Sequence, residues 1–213
     1  MGRLTGGPYY DLIGRTGNNV GRRVRGKNLF YMRPHTSNRP RSAAQLAVME
    51  RLGMAASWLS WVAPMIEIGF QDHEENESPM NAAVGYLIKN AITGVAPLQT
   101  IDYPKVLFSR GRVSMASAAE VATTAPSQLD FSWDDICDNG IGSLTDMANF
   151  VVYNVDKDYF AVIADAVPRS AMSYDMSLPA SFSGDTVHIY THFVSANGKM
   201  VSNSYYLGTA IVL

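Results

Sequence analysis

The sequence has one cysteine, few charged residues and no long apolar run. The shortage of cysteine excludes a disulfide-stabilised protein, and the lack of a long apolar run excludes a membrane-spanning helix. Cys137 is the single cysteine among 213 residues, so no disulfide can form within the chain. The longest apolar stretch, residues 54–65, is broken by serines and a proline and is too short to span a bilayer. The first residues lack the apolar segment of a secretory signal. We therefore expect a cytoplasmic protein without a membrane span, alone or within a larger assembly or particle.

Positive charge is concentrated at the start of the chain. Nine of the seventeen basic residues lie in residues 1–41, the arm, together with a single acid, Asp11. Residues 42–213 contain the other eight basic residues and eighteen acids, so the two parts carry +8 and −10. A cationic, glycine-rich segment favours an anionic partner, which could be nucleic acid, the acidic part of a neighbouring copy, or its own acidic part.

The arm supplies the candidate partner-binding residues. They are Arg15, Arg22, Arg23, Arg25, Lys27 and Arg33. Aromatic residues between them could stack on bases or fill grooves on a protein. Glycines at positions 14, 17, 21 and 26 suit tight backbone turns, which favours a defined path on protein over a loose tether on phosphates. Residues Leu29–Met32 are predicted to form a strand.

Two helices are predicted after the arm. Ser42 and Gln45 form a capping-box pattern, and a stripe of apolar residues then recurs at helical spacing until Pro64. A second helix begins at Ser78 with Pro79 in its first turn, runs to about Asn90 and closes at Gly94. An acidic loop, residues 72–77, separates the two.

From about residue 100 the apolar pattern alternates with a period of two, which predicts strands. We expect them at 105–109, 112–116, 129–133, 149–154, 159–164, 171–178, 186–195 and 199–213. Asn197-Gly198 predicts a hairpin turn between the last two. In strand 186–195 the odd-numbered residues are assigned to the core, and His192 on the other face is expected at the surface.

No catalytic, metal or cofactor site is predicted, because each candidate pattern is incomplete. Gly21–Asn28 nearly matches a phosphate-binding loop but lacks the preceding strand, the following helix and the hydroxyl residue. His188 and His192 are about 13 Å apart in a strand, too far for one metal. The aspartates at 130, 134, 135 and 138 do not have EF-hand spacing and indicate an acidic turn.

The sequence resembles two known families. Residues 14–27, Arg33-Pro34 and 39–47, with the tail 184–208, resemble an uncharacterised bacterial domain-of-unknown-function family, which implies an architecture and no catalytic residues. The C-terminal half is similar to fibronectin type III and immunoglobulin-like sandwiches. That resemblance places Trp133 on the second strand, Val151 and Tyr153 on the third, and residues 184–190 at the turn into the penultimate strand.

The sequence therefore predicts an α+β protein with three parts: an extended basic arm (1–41), a two-helix segment (42–99) and an antiparallel immunoglobulin-like β-sandwich (100–213). The expected function is non-enzymatic. The arm of one copy docks on the acidic part of another, so that the protein self-assembles into a structural homo-oligomer. Two alternatives remain open: a coat-like protein whose arm contacts nucleic-acid phosphates, and a ligand-binding sandwich module.

Overall fold

A computed structural model describes residues 2–35, 39–73, 77–96, 98–137 and 140–213. The chain divides into two units, Met1–Ser42 and Ala43–Leu213. The first unit holds the arm. The second, called the body below, holds the helices and the sandwich together.

The arm forms a four-stranded antiparallel sheet in the order β1-β4-β3-β2. Its strands are β1 (Gly2–Leu4), β2 (Gly14–Thr16), β3 (Asn19–Val24) and β4 (Lys27–Met32). The strand predicted at residues 29–32 is confirmed within β4. The glycine spacing is explained by turns, because Gly17 and Gly26 have φ of +60° and +74° in the two hairpin turns. Arg25 beside Gly26 also has a positive φ, +48°, as a two-residue hairpin turn requires.

Three helices follow where two were predicted: α1 (Ala43–Ser60), α2 (Ala63–Gly69) and α3 (Pro79–Asn90). The first predicted helix is confirmed as α1, which ends at Ser60, and a short helix that was not predicted, α2, has Pro64 in its first turn. Proline is favoured there, since the first N–H groups of a helix have no partner within it.

The second predicted helix is confirmed as α3. The Ser78 hydroxyl accepts a hydrogen bond from the Asn81 N–H at 3.2 Å and caps the helix. Its C-cap is Ala91 and not Gly94. Gly94, with φ of +87°, lies instead after β5 (Ile92–Thr93), which pairs with β6 (Thr100–Ile101).

Seven antiparallel strands form the predicted sandwich. They are β7 (Ser117–Ala122), β8 (Gln128–Asp134), β9 (Met147–Asn154), β10 (Tyr159–Pro168), β11 (Ser173–Ser177), β12 (Thr186–Val194) and β13 (Tyr205–Ile211). The outer sheet has the order β11-β8-β7 and the middle sheet the order β10-β9-β12-β13. The α+β class and the sandwich are confirmed. Pairing of its third and sixth strands inside the larger sheet is the immunoglobulin-like arrangement.

The middle sheet is covered on both faces. Phe150 and Ile189 lie in the core shared with the outer sheet, whereas Val151 and Tyr190 lie in the core shared with the helices. All four side chains have 0% exposure. The body is therefore a three-layer structure of helices, middle sheet and outer sheet, and β9 and β12 contribute to two cores at once.

Some strand predictions were wrong. No strand forms at 105–109, where Tyr103–Lys105 is a 3₁₀ turn, and Val113 makes only an isolated bridge to Ser202. The sequence also missed β7, in which small residues give a weak apolar signal. In contrast, Trp133 lies on the second sandwich strand and Val151 on the third, as the resemblance implied.

The last hairpin is confirmed, and one of its faces was misassigned. Gly198 has φ of +69° and its N–H donates to the Ser195 carbonyl at 2.7 Å, so the turn lies where it was predicted. His192, however, is only 1% exposed. The assignment of alternate β12 residues to opposite faces was correct. The face opposite Phe193, however, packs against the helical layer, so the prediction that His192 lies at the surface was wrong.

We expect burial on both sides of the middle sheet to make the body unfold as one unit. Phe193→Ala should cost about 3–5 kcal/mol and Leu87→Ala in α3 about 2–5 kcal/mol, since both side chains leave cavities. Val48→Ala, at a side chain that is 66% exposed, should stay within about 0.5 kcal/mol. Urea unfolding, followed by tryptophan fluorescence and far-UV circular dichroism, should give coincident transitions. Separate loss of the helices in Leu87→Ala would contradict a shared core.

Candidate functional site

The arm sheet brings three of the predicted binding residues onto one face. The strand register places Arg15 opposite Val20, Arg22 opposite Leu29, and Lys27 opposite Val24. Because directly opposed residues in an antiparallel pair share a face, the three cations form a diagonal row across β2, β3 and β4, with neighbours about 7–8 Å apart. We call this the basic face; it comprises Arg15, Val20, Arg22, Val24, Lys27, Leu29 and Tyr31.

The other face of the arm sheet is occupied by the chain that precedes β2. A Cβ atom on Gly21 would lie 2.1 Å from the Leu12 carbonyl oxygen, so only glycine allows this approach. The Asn28 amide donates to the Tyr10 carbonyl at 2.6 Å, and the Tyr9 ring stacks on Phe30. These contacts leave the basic face as the one open to a partner within the arm unit.

The remaining predicted residues lie off the basic face. Arg23 pairs with Asn28 on the opposite side of the sheet, and Arg25 lies in the β3–β4 turn. Arg33 follows β4, and its N–H donates to the Asn18 carbonyl at 2.7 Å. All three are exposed. They raise the positive potential of the arm without joining the diagonal row.

The solvent side of the outer sheet carries the complementary charge. Asp130 lies directly opposite Asp175, and Glu120 lies opposite Ser132, next to both Asp130 and Asp134 along β8. We call Glu120, Asp130, Asp134 and Asp175 the acidic face. None of the three strands contains a lysine or arginine. Like charges directly across a sheet destabilise it, so the face holds negative charge that nothing in the sheet balances.

Three acids of the body outside the acidic face are paired with a cation. Asp102 pairs with Lys105 at 2.5 Å, and Asp185 pairs with Lys157. Lys157 and the Asn154 amide lower the pKa of Asp185. Asp146 pairs with Arg169 in the interior, at 3.8 Å. On the acidic face Asp130 accepts hydrogen bonds from Thr124 and Gln128, which are neutral donors.

Comparison with protein-family models matches residues 11–208 to a family described as "Family of unknown function (DUF6266)". The chain belongs to this family. A search of curated proteins finds no match. Among solved structures the chain is similar to the fn3 domain of the human collagen alpha-1(XX) chain, at 16% identity and a TM-score of 0.36. That match covers 49% of this chain and 88% of the other.

The family resemblance predicted from the arm and the tail is thus confirmed, and the family carries no activity that could be transferred. Assignment of the sandwich rests on the strand order of the body itself.

Other candidate motifs fall into ordinary structural roles. Gly21–Asn28 forms the β3–β4 hairpin and not a strand-to-helix loop. Among the described residues no three His, Cys, Asp or Glu side chains lie together as metal ligands, and no described helix is long and apolar enough to cross a membrane. Glu74, Glu75 and Asn76 of the acidic loop, and Asp138 and Asn139 of the acidic turn, lie outside the described residues.

The two strand histidines face the helical layer at separate places. The His188 ring stacks on Tyr103 with 4.1 Å between ring centroids, and its Nδ1 lies 2.8 Å from the Tyr206 hydroxyl. His192 Nε2 lies 3.2 Å from the Asn149 amide, and its Nδ1 has no hydrogen-bond partner among the described residues. Burial lowers the pKa of both, that of His192 to about 4.

We expect His192 to make the body sensitive to acid. Its unfolded pKa is near 6.5, so the unfolded chain binds a proton that the folded chain excludes until about pH 4. The contribution of neutral His192 to the free energy of unfolding is complete above about pH 6.5. It is lost as the pH is lowered, by about 3 kcal/mol between pH 6.5 and 4. Unfolding free energies of the wild type and His192→Gln should converge as pH falls, whereas exposed His35→Gln should follow the wild type. Parallel curves for His192→Gln would exclude this role.

Sequence reasoning missed the acidic face, although part of its signal was present. Asp130, Ser132 and Asp134 alternate with buried residues along β8, which is the pattern of a solvent-facing polar row. Asp130 and Asp134 were instead interpreted, together with Asp135 and Asp138, as a strand–loop turn on an acidic surface. Glu120 and Asp175 join them only through the register of β7 and β11, which no local pattern specifies.

Proposed function

We propose that the protein is a non-enzymatic structural protein that self-assembles, with the basic face of one copy docked on the acidic face of another. The observation that supports this is the segregation of charge into two open sheet faces of opposite sign in one chain. Oppositely charged patches steer association and set its orientation.

Spacing of the charges supports this pairing. Each face spans three adjacent strands, and neighbouring charges on each are about 5–8 Å apart, the distances set by direct and diagonal positions in a sheet. Arg15, Arg22 and Lys27 form one diagonal row. Glu120, Asp130 and Asp175 form a second row across β7, β8 and β11.

Charge alone gives a weak contact. Exposed ion pairs contribute about 0.2–1 kcal/mol each, so three or four pairs supply a few kcal/mol at most. The basic face also holds Val20, Val24, Leu29 and Tyr31, which are half-buried within the arm and would lose further surface on docking. Burial of this surface adds about 25 cal/mol per Å². We therefore expect a micromolar, salt-sensitive association.

An interface between different faces is heterologous, so it can generate rings or open chains of subunits. A self-complementary dimer forms only if two copies exchange arms. Both outcomes use the same contact, and the distribution of masses distinguishes them.

Reversal of the charge on each face by mutation tests the contact directly. Arg15→Glu with Arg22→Glu, and separately Glu120→Lys with Asp175→Lys, should each abolish self-association, because like charges then face each other. A mixture of the two double variants should associate again, since each reversed face meets a reversed partner. Sedimentation velocity at low salt measures all three samples.

Arg39→Glu with Arg41→Glu is the matched control, since it makes the same change of arm charge outside the arm sheet. This control should associate like the wild type. If it fails as completely as the basic-face variant, total arm charge and not the basic face drives association. If the mixture stays monomeric although both variants are folded, the proposed pairing of faces is wrong.

Nucleic-acid association is the second candidate. The observation that favours it is Tyr31, which lies on the basic face in one cross-strand row with Arg15 and Val20. A ring among cations could stack on a base while the cations contact phosphates. The net charge of −10 on residues 42–213 opposes this binding at long range.

If the arm binds nucleic acid, affinity for a labelled single-stranded 20-mer should fall with a log–log salt slope of about −3, from release of about four counterions. Tyr31→Ala should weaken this binding by about 1–3 kcal/mol. Tyr10→Ala, which removes an aromatic residue that is not part of the basic face, should have little effect. Fluorescence anisotropy measures both, and a flat salt dependence would remove the arm as a phosphate contact.

A further inference from the structure

The body has a pocket of about 480 Å³ whose lining includes three of the eight basic residues of the body. Its walls are formed by Gln71, Asp72, Arg110, Gly111, Arg112, Lys199, Met200 and Val201. We propose that this pocket binds a small molecule with two or more phosphate or carboxylate groups.

Two cations of the pocket lining have no carboxylate partner in the described part of the chain. Elsewhere in the body Lys105, Lys157 and Arg169 are each paired with an aspartate. Arg110 and Lys199 form no ion pair with any described residue. The lining residues include three bases and a single acid, Asp72, on a body that is acidic as a whole.

The walls are held by backbone contacts and do not depend on a ligand to form. A Cβ atom on Gly111 would lie 2.0 Å from the Val201 carbonyl oxygen, so this close approach of the two segments requires glycine. The Gly111 N–H donates to Asn203 Oδ1 at 3.0 Å, and the Arg110 N–H donates to the Gly69 carbonyl at 2.9 Å. The Gln71 amide donates to the Gly198 carbonyl at 2.8 Å. A preformed wall lowers the entropy lost on binding.

The chemistry of the lining specifies the class of ligand. Guanidinium groups bind phosphate and carboxylate through two parallel hydrogen bonds, and Lys199 adds a third donor group. A volume of 480 Å³ admits a molecule of pyrophosphate or citrate size and excludes a folded partner. The inference is independent of arm docking, because every lining residue belongs to the body.

Isothermal titration of the full-length protein with pyrophosphate, and separately with citrate, tests the site. Arg110→Gln with Lys199→Gln should weaken binding of either probe by about tenfold or more, since the charge-assisted hydrogen bonds of both side chains are lost. A preference for pyrophosphate over citrate identifies phosphate as the recognised group, and the reverse identifies carboxylate. Acetate at equal ionic strength should not bind measurably.

Two control variants separate the pocket from general attraction of anions. Lys89→Gln with Lys105→Gln removes the same charge from the body outside the lining and should bind like the wild type. Arg15→Gln with Arg22→Gln removes charge from the arm and should also bind like the wild type. Absence of binding to the wild type, equal loss in the body control, or loss only in the arm variant would each overturn the proposal.

Discussion

Burial of the middle sheet on both faces is the constraint on which the body depends. Strands β9 and β12 have no solvent face along most of their length, and their odd and even residues pack into different layers. The pairing of these two strands therefore aligns the helices and the outer sheet together. A one-residue slip of β9 would exchange Phe150 with Val151, and a slip of β12 would exchange Ile189 with Tyr190, so that either slip would disrupt both cores. This coupling also explains why a polar side chain such as His192 is enclosed without access to water.

This burial leaves the outer sheet as the sandwich surface that faces solvent, and its charge is of one sign. The arm sheet is likewise closed on one side by its own chain and open on the other, where the charge has the opposite sign. The strands of the acidic face contain no lysine or arginine that could balance its charge. Opposite signs on two open faces of one chain are the physical reason for our proposal that these faces meet between copies.

Local signals predicted the parts of the fold that they control. The cap at Ser78 defined the start of α3, Asn197-Gly198 located the last hairpin, and alternation located six of the seven sandwich strands. Two results depended on packing that no local pattern encodes. The enclosure of His192 and the acidic row of Glu120 with Asp175 both arise from contacts between distant segments. The basic residues of the arm were identified from their charge. The sheet register was needed to show that some of them form a row on the open face, whereas Arg23, Arg25 and Arg33 lie outside it.

The central claim is that copies of this chain associate through oppositely charged faces. Sedimentation equilibrium of the full-length wild-type protein, at tens of micromolar and across a range of salt concentrations, tests it most directly. We expect oligomers at low salt, and we expect them to dissociate to 23.3 kDa monomers as the salt concentration rises. A protein that is already monomeric at low salt would contradict it.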